Sequence, residues 1–379
     1  MTDPELVTGA GMAALLPDLL AGFAARRLLV VGSTSGVARA GLTLPGQPAR
    51  FGGFSPNPHL TDVLDGCRLA DAYGPDLVVG IGGGSALDTA KMVRSLPADP
   101  AAAIEVLAGR APPRRRAPLV LVPTTAGTGS EATGFATVYV NGVKHSLDHP
   151  SVHADLAVVD PELTRGCPAD VAYSGAFDAL AHALESLWSL RSTAASRMLA
   201  SDALTALVAV LGRAAWPLTT SDRADLSTAS TRAGLAIDRT RTTAGHAFAY
   251  PLTARFGVRH GVACALNLVW LLPYTRARLR THCQDPRGVA FVARRLAQIG
   301  LDGPDLADLL RRTGFSPWLG DHGVAGGDLP GLVAAALGSG RSTNGPVRLD
   351  PDDVLPWLRA RLAASRRPFP ADQGESDAV

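Results

Sequence analysis

The chain has 379 residues, more than one compact core usually organises, so two domains are expected. Hydrophobic residues make up 46% and charged residues 18%, which excludes a disordered or fibrous chain. Lys and Arg total 36 against 34 Asp and Glu, and a net charge of only +2 does not suggest a nucleic-acid partner, which is normally met by clustered excess positive charge.

The N-terminal MTDPELVTGA lacks the basic-then-apolar order of a secretory signal, and no window approaches the ~20 unbroken apolar residues of a membrane span. Cys67, Cys167, Cys264 and Cys283 form no CxxC pair. A cytoplasmic protein with reduced thiols and no membrane contact is expected.

In chain order, Leu28 to Val31 forms a buried-type strand stopping at Gly32-Ser33-Thr34-Ser35-Gly36. Leu60 to Ala72 has helical spacing. Leu77 to Ile81 is a second strand, ending in Gly82-Gly83-Gly84-Ser85. Pro118 to Val122 is a third, ending in Pro123-Thr124-Thr125-Ala126-Gly127-Thr128-Gly129-Ser130, and Ala154 to Asp160 a fourth. Strands without polar alternation, separated by helices, predict a Rossmann-like parallel α/β domain covered on both faces. From about residue 165 the pattern turns helical, with segments Ala169 to Ala215, Arg223 to Ala249, Val262 to Leu279 and Gly288 to Ile299. The expected organisation is therefore a dinucleotide-binding domain over 1–165, an all-helical domain over 166–365 and a frayed tail over 366–379. The run Arg114-Arg115-Arg116, flanked by prolines, reads as an exposed loop.

Gly82, Gly83, Gly84 and Ser85 leave a strand and open a helix that carries Asp88 and Lys91. Glycines admit a diphosphate close to the backbone, and a helix N-terminus supplies positive potential for it. Such a cluster can equally be a structural strand-to-helix turn. The second loop, from Thr124 to Ser130, tips the reading toward a ligand crevice at the carboxyl edge of one sheet. Asp88 is taken with this loop as a cofactor contact. At the end of the first strand, Gly32, Ser33 and Ser35 with Arg39 nearby offer hydroxyls and a cation but no carboxylate, which favours NADP(H) over NAD(H).

Asp178 and His182 sit four apart, on one face of a helix if the segment is helical, in apolar surroundings. Alone, such a pair can be a hydrogen-bonded Asp–His contact. His246 and His260 are further histidines in apolar, helix-like stretches. One carboxylate with three imidazoles suits Fe²⁺ or Zn²⁺ better than Mg²⁺ or Ca²⁺.

The stretches GGGSALDTAK, PTTAGTGSEAT, DPELT, FDALAHALES and GHAFAYPLTARFGVRHG, in this order and spacing, resemble the iron-dependent (group III) alcohol dehydrogenase family. The likeness extends from the strand at Leu28 to Asn344-Gly345-Pro346. It implies a dinucleotide-binding α/β domain followed by a helical metal domain, and metal ligands at Asp178, His182, His246 and His260. It further implies phosphate contacts at Gly82, Gly83, Gly84 and Ser85, nicotinamide-side contacts at Thr124, Thr125 and Thr128, and a cofactor contact at Lys144. Many members carry a histidine four residues after the third ligand, credited with moving a proton. Here Tyr250 stands there, a poorer relay at neutral pH but still a hydrogen-bonding group. Tyr250 and His260 are the catalytic candidates.

The segments around Lys144 to Asp148 and Thr240 to Thr253 resemble a narrower branch, the phosphonoacetaldehyde reductases, which make 2-hydroxyethylphosphonate. Arg239, Arg241 and Arg259 lie within a few residues of His246 or His260, where fork-like donors would suit an anionic head. Each alone could instead pair with a helix carboxylate or face solvent. The expected activity is NAD(P)H-dependent reduction of a small, anionic aldehyde by a homodimer. Competing expectations are a general alcohol dehydrogenase on a plain aldehyde or diol, a dehydroquinate-synthase-like lyase, and an inactive scaffold. The lyase would need more cations than Lys91 and Lys144 provide beside the arginines.

Overall fold

The computed structural model describes residues 3–363; the tail expected over 366–379 and the side chain of Arg39 lie outside the described residues. Eight strands are present among the described residues: β1 Glu5–Thr8, β2 Leu28–Val31, β3 Ala49–Phe51, β4 Leu77–Gly82, β5 Leu119–Pro123, β6 Phe135–Val140, β7 Val143–Asp148 and β8 Leu156–Val159. The first helices are α1 Leu16–Ala21, α2 Thr34–Ala40, α3 Leu60–Tyr73, α4 Gly84–Ser95 and α5 Pro100–Leu107. They are followed by α6 Ala169–Trp188, α7 Ala194–Arg213, α8 Thr220–Thr240, α9 Ala244–Phe256 and α10 His260–His282. The last are α11 Val289–Ile299, α12 Gly303–Arg312, α13 Leu329–Leu337 and α14 Pro351–Arg359.

The chain divides into two compact units, 1–179 with 215–238, and 180–214 with the residues from 239 onward. These compact units divide within α6, where the sequence suggested a division at 165, and α8 belongs to the α/β unit. Hydrogen bonds explain the second point. Ser230 of α8 accepts from the Gly127 amide at 2.7 Å, and Asp238 accepts from the Gly134 amide at 2.7 Å. Asp238 also meets His153 Nε2 at 3.0 Å, a buried pair that joins α8 to the same unit.

In the first unit, β1-β8-β5-β4-β2-β3 form one sheet, and every pairing in it is parallel. Alternate residues of the central strands fill opposite cores. Leu28, Val30, Val79 and Val120 pack with Leu16, Leu20 and Val37 on one face. Leu29, Val31, Val78 and Leu121 pack with Ala70, Leu87 and Val93 on the other. Two covered faces explain why these strands read as unbroken apolar runs. The path runs from β2 outward to β3 and returns past β2 to β4, so the order reverses between β2 and β4, where parallel sheets open a ligand crevice.

Several elements were not anticipated. β1 is a half-exposed edge strand on β8. β6 and β7 make an antiparallel hairpin around Asn141 and Gly142, both with positive φ, the geometry of a tight primed turn. The arginine run is only partly an exposed loop: Arg114 and Arg115 are exposed, but Arg116 donates to Val93 O at 2.9 Å and pairs with Asp71 at 2.9 Å.

In the second unit, Phe248 packs edge-on against Trp270 at 5.1 Å, Trp270 against Tyr274 at 5.9 Å and Tyr274 against Trp357 at 5.6 Å. The long helical stretch expected over 169–215 is two helices, because Thr193 and Ser196 form a capping box that starts α7. α7 is long and apolar enough on average to pass for a membrane span, although its apolar run is broken by polar residues. It nevertheless buries Leu204, Leu207 and Leu211 while exposing Asp202 and Arg213, the pattern of an amphipathic helix. The stretch expected over 223–249 also breaks, after Thr240, where Arg241 takes a left-handed φ of 59°. Asn344 Nδ2 stabilises that turn by donating to the carbonyls of Thr240, Arg241 and Thr242 at 2.8, 3.2 and 3.1 Å.

Candidate active site

The two glycine-containing loops meet. Thr124 N donates to Gly82 O at 2.9 Å. A Cβ added at Gly83 would approach Thr125 Oγ1 to 3.1 Å, and one at Gly84 would strike Thr128 Cγ2 at 2.6 Å. Glycine at these positions therefore eases the close packing of the loops, at Gly84 above all. α4 begins here with no side-chain cap and no acidic residue in its first turn, so its positive end is available to a phosphate. Ser85 Oγ accepts from the Asn57 amide at 3.2 Å.

Asp88, expected as a cofactor contact, has hydrogen-bond partners within the chain. One oxygen accepts from Ser130 Oγ at 2.6 Å, and the other from Thr137 N at 2.9 Å and Thr137 Oγ1 at 2.8 Å. It braces the second loop against α4, because its position faces that loop. Lys91, one turn later, is fully buried and donates to Ser130 O at 2.5 Å, Thr133 O at 2.8 Å and Phe135 O at 2.9 Å. Burial pushes its pKa down to about 8, with Asp88 opposing.

Beside the switch point, Gly32 ends β2 and Ser33 caps α2, accepting from the Gly36 amide at 3.1 Å. Ser35 is exposed. Lys144 lies on β7 opposite Tyr139, in the hairpin rather than in the parallel sheet.

α6 carries Asp178 and His182 one turn apart, both buried. Ligand atoms of Asp178, His246, His260 and Cys264 lie within 4.8 Å of one another. His182 is not a member of that four-atom group; its ring stacks on His246, with centroids 4.8 Å apart and planes 9° apart. Three of the four expected ligands thus converge with a cysteine, and the fourth adjoins them. Tyr250 stacks on His260 at 5.9 Å and 11°.

Glu185, one turn beyond His182 on α6, is fully buried, and its Oε2 meets His246 Nδ1 at 2.6 Å. Its carboxylate also accepts from Thr243 N at 3.0 Å, Thr243 Oγ1 at 2.7 Å and His246 N at 3.2 Å. Burial opposes its charge, but the His246 imidazole and the Thr243 hydrogen bonds outweigh it and hold the carboxyl below its usual range. An ionised carboxylate only accepts, so His246 carries its proton on Nδ1 and turns the Nε2 lone pair toward the cluster, as metal-ligating histidines do. A Cβ at Gly245 would strike Glu185 Oε1 at 2.6 Å, so glycine before His246 makes the contact possible. Neither Glu185 nor Cys264 was anticipated. The signal for Glu185 was a third polar residue on the same face of an apolar helix, at i+7 from Asp178. A carboxylate, imidazoles and a thiol suit a first-row divalent ion, so the residues present fit such a metal.

Arg239 is half-buried in the last turn of α8, and Arg241 occupies the turn before α9. Arg259 is exposed at the N-cap of α10, adjacent to His260.

Comparison with known proteins identifies the family of the chain. Residues 3–161 match the family model described as iron-containing alcohol dehydrogenase, and residues 172–362 match that of the Fe-containing alcohol dehydrogenase family, C-terminal. The chain is 36% identical over 305 residues to phosphonoacetaldehyde reductase of Streptomyces viridochromogenes, covering 76% of each. It is also 36% identical over 214 residues to long-chain-alcohol dehydrogenase 1 of Geobacillus thermodenitrificans, covering 55% of this chain and 53% of that one. The crystal structure of sulfoacetaldehyde reductase from Bifidobacterium kashiwanohense in complex with NAD+ superposes with a TM-score of 0.83 at 27% identity, covering 96% of this chain and 98% of that one. A parallel α/β unit with paired glycine loops, followed by helices that gather carboxylate and imidazole donors, places this oxidoreductase in the iron-containing alcohol dehydrogenase family.

Proposed function

We propose that the protein reduces a small aldehyde with an anionic head to a primary alcohol, with phosphonoacetaldehyde to 2-hydroxyethylphosphonate as the preferred reaction and NADPH as the preferred reductant. The observation that carries this reading is the position of two arginines. Arg241 precedes α9, which bears His246, and Arg259 caps α10, which begins with His260. Arginines at the starts of both ligand-bearing helices suit a phosphonate or sulfonate tail better than an alkyl chain. The likeness to phosphonoacetaldehyde and sulfoacetaldehyde reductases supports it.

When bound, the divalent ion polarises the aldehyde carbonyl and the nicotinamide supplies the hydride. The chain's own residues do the rest. The Gly82–Ser85 loop and the start of α4 hold the diphosphate, Thr124, Thr125 and Thr128 align the nicotinamide side, and Lys144 reaches the cofactor. Asp178, His182, His246 and His260 are available to the ion, whether Fe²⁺ or Zn²⁺, and Glu185 fixes the orientation of His246. Tyr250 relays a proton through water to the product oxygen. Ser33 and Ser35 without a neighbouring carboxylate support NADPH, while the relative crystallised with NAD+ marks NADH as the competing choice.

Steady-state kinetics with NADPH and NADH against phosphonoacetaldehyde, sulfoacetaldehyde, acetaldehyde and 1,3-propanediol test the reading. The highest kcat/KM is expected with phosphonoacetaldehyde and NADPH. Equal or higher kcat/KM with the uncharged substrates would favour the general alcohol dehydrogenase that the long-chain relative represents. Light scattering tests the accompanying proposal of a homodimer.

A further inference from the structure

We propose that Cys264 is a sulfur ligand of the metal centre and raises its preference for zinc over iron. The inference rests on the metal site proposed above and extends its donor set beyond one carboxylate and three imidazoles.

Cys264 follows His260 by four residues on α10, so the two side chains leave the same helix face one turn apart. Its Sγ lies 3.9 Å from His260 Nε2, and its ligand atom shares the 4.8 Å cluster with those of Asp178, His246 and His260. Donors bound to one zinc at about 2.0–2.3 Å stand roughly 3–4.5 Å from one another, so the thiol is at a distance typical of a co-ligand. Its position is deeply buried, and it takes part in no disulfide.

A buried cysteine is often a small apolar filler, and Cys67 shows what that looks like here. Cys67 is equally buried, faces the Met92 carbonyl inside a cluster of Leu and Val side chains, and has a thiol pushed up to about 12 by burial. Cys264 instead has two imidazoles and a carboxylate as neighbours. Thiolate is a soft donor that favours Zn²⁺ over Fe²⁺ beyond the ordinary divalent series, so its presence bears on which ion is held.

Cobalt(II) substitution of the full-length protein reads the sulfur directly. The wild type should show ligand-field bands together with a near-ultraviolet thiolate-to-cobalt charge-transfer band. Cys264→Ser and Cys264→Ala should keep the ligand-field bands and lose the charge-transfer band, whereas Cys67→Ser should keep both. After equilibration with equimolar Fe²⁺ and Zn²⁺ under anaerobic conditions, elemental analysis should show the zinc-to-iron ratio falling about tenfold in Cys264→Ser, the lower end of what a change around a metal ligand does to affinity. Cobalt binding without a charge-transfer band in the wild type would overturn the sulfur ligand and leave the metal site standing. Failure of the folded wild type to bind cobalt would overturn both. If both Cys264 variants fail to fold, the wild-type spectrum and the Cys67→Ser control still decide the matter.

Discussion

Glu185 and His246 face one another across 2.6 Å, carboxylate oxygen to Nδ1, with both side chains essentially out of solvent. The contact selects the imidazole tautomer that can ligate a metal, and the backbone amides of Thr243 and His246 anchor the same carboxylate. Glu185→Gln keeps the shape but allows an amide to face Nδ1. Metal affinity is expected to fall about 10- to 100-fold, the usual effect of removing a histidine's outer partner. Competition against a chromophoric chelator measures it, and an unchanged affinity would contradict the role.

His260 starts α10 and is half-buried, so truncating it removes a donor without emptying the core. His260→Ala should lose bound metal and turnover while retaining the wild-type circular dichroism spectrum. Elemental analysis and the rate of NADPH oxidation check the two halves, and unchanged turnover would remove His260 from the site.

Lys91 donates to carbonyls of Ser130, Thr133 and Phe135, from the second loop to the start of β6, and Lys91→Met removes that donor. A loss of about 3 kcal/mol or more in unfolding free energy is expected, since several buried acceptors are stranded. Burial lowers the lysine pKa to about 8 from 10.5. The unfolded chain then binds more protons than the folded chain between these values, so the stability owed to Lys91 rises with pH across that window. Denaturant titrations should show the gap between wild type and Lys91→Met widening from pH 8 to pH 10. A gap that narrows would contradict the assigned direction.

Arg259→Gln and Arg241→Ala test the anionic head. Each should lower kcat/KM for phosphonoacetaldehyde about 10- to 100-fold, the worth of a hydrogen bond to a charged group, and leave acetaldehyde nearly unchanged. Parallel losses on both substrates would place these arginines in the scaffold.

Much was legible before any coordinates. The unbroken apolar runs at Leu28, Leu77 and Leu119 identified buried parallel strands, because a strand covered on both faces has no polar side to alternate. The glycines Gly83 and Gly84 marked the first loop, since a Cβ at either would crowd Thr125 or Thr128. Asp178, His246 and His260 stood out because apolar helices do not carry charged groups without partners. Helix breaks were harder to see. The turn at Arg241 depends on Asn344, which is 103 residues away in the chain, and no local pattern announces it.

Composition and spacing thus determined the two-part architecture and singled out the loop and ligand candidates, because periodicity and residue chemistry are local properties. Tertiary structure alone decided that Asp88 and Lys91 brace a loop, that α8 packs with the sheet unit, and that Cys264 joins Asp178, His246 and His260 in one four-atom cluster. Those outcomes turn on which faces of separate helices meet, and that is set by the packing of the whole chain rather than by any one segment of it.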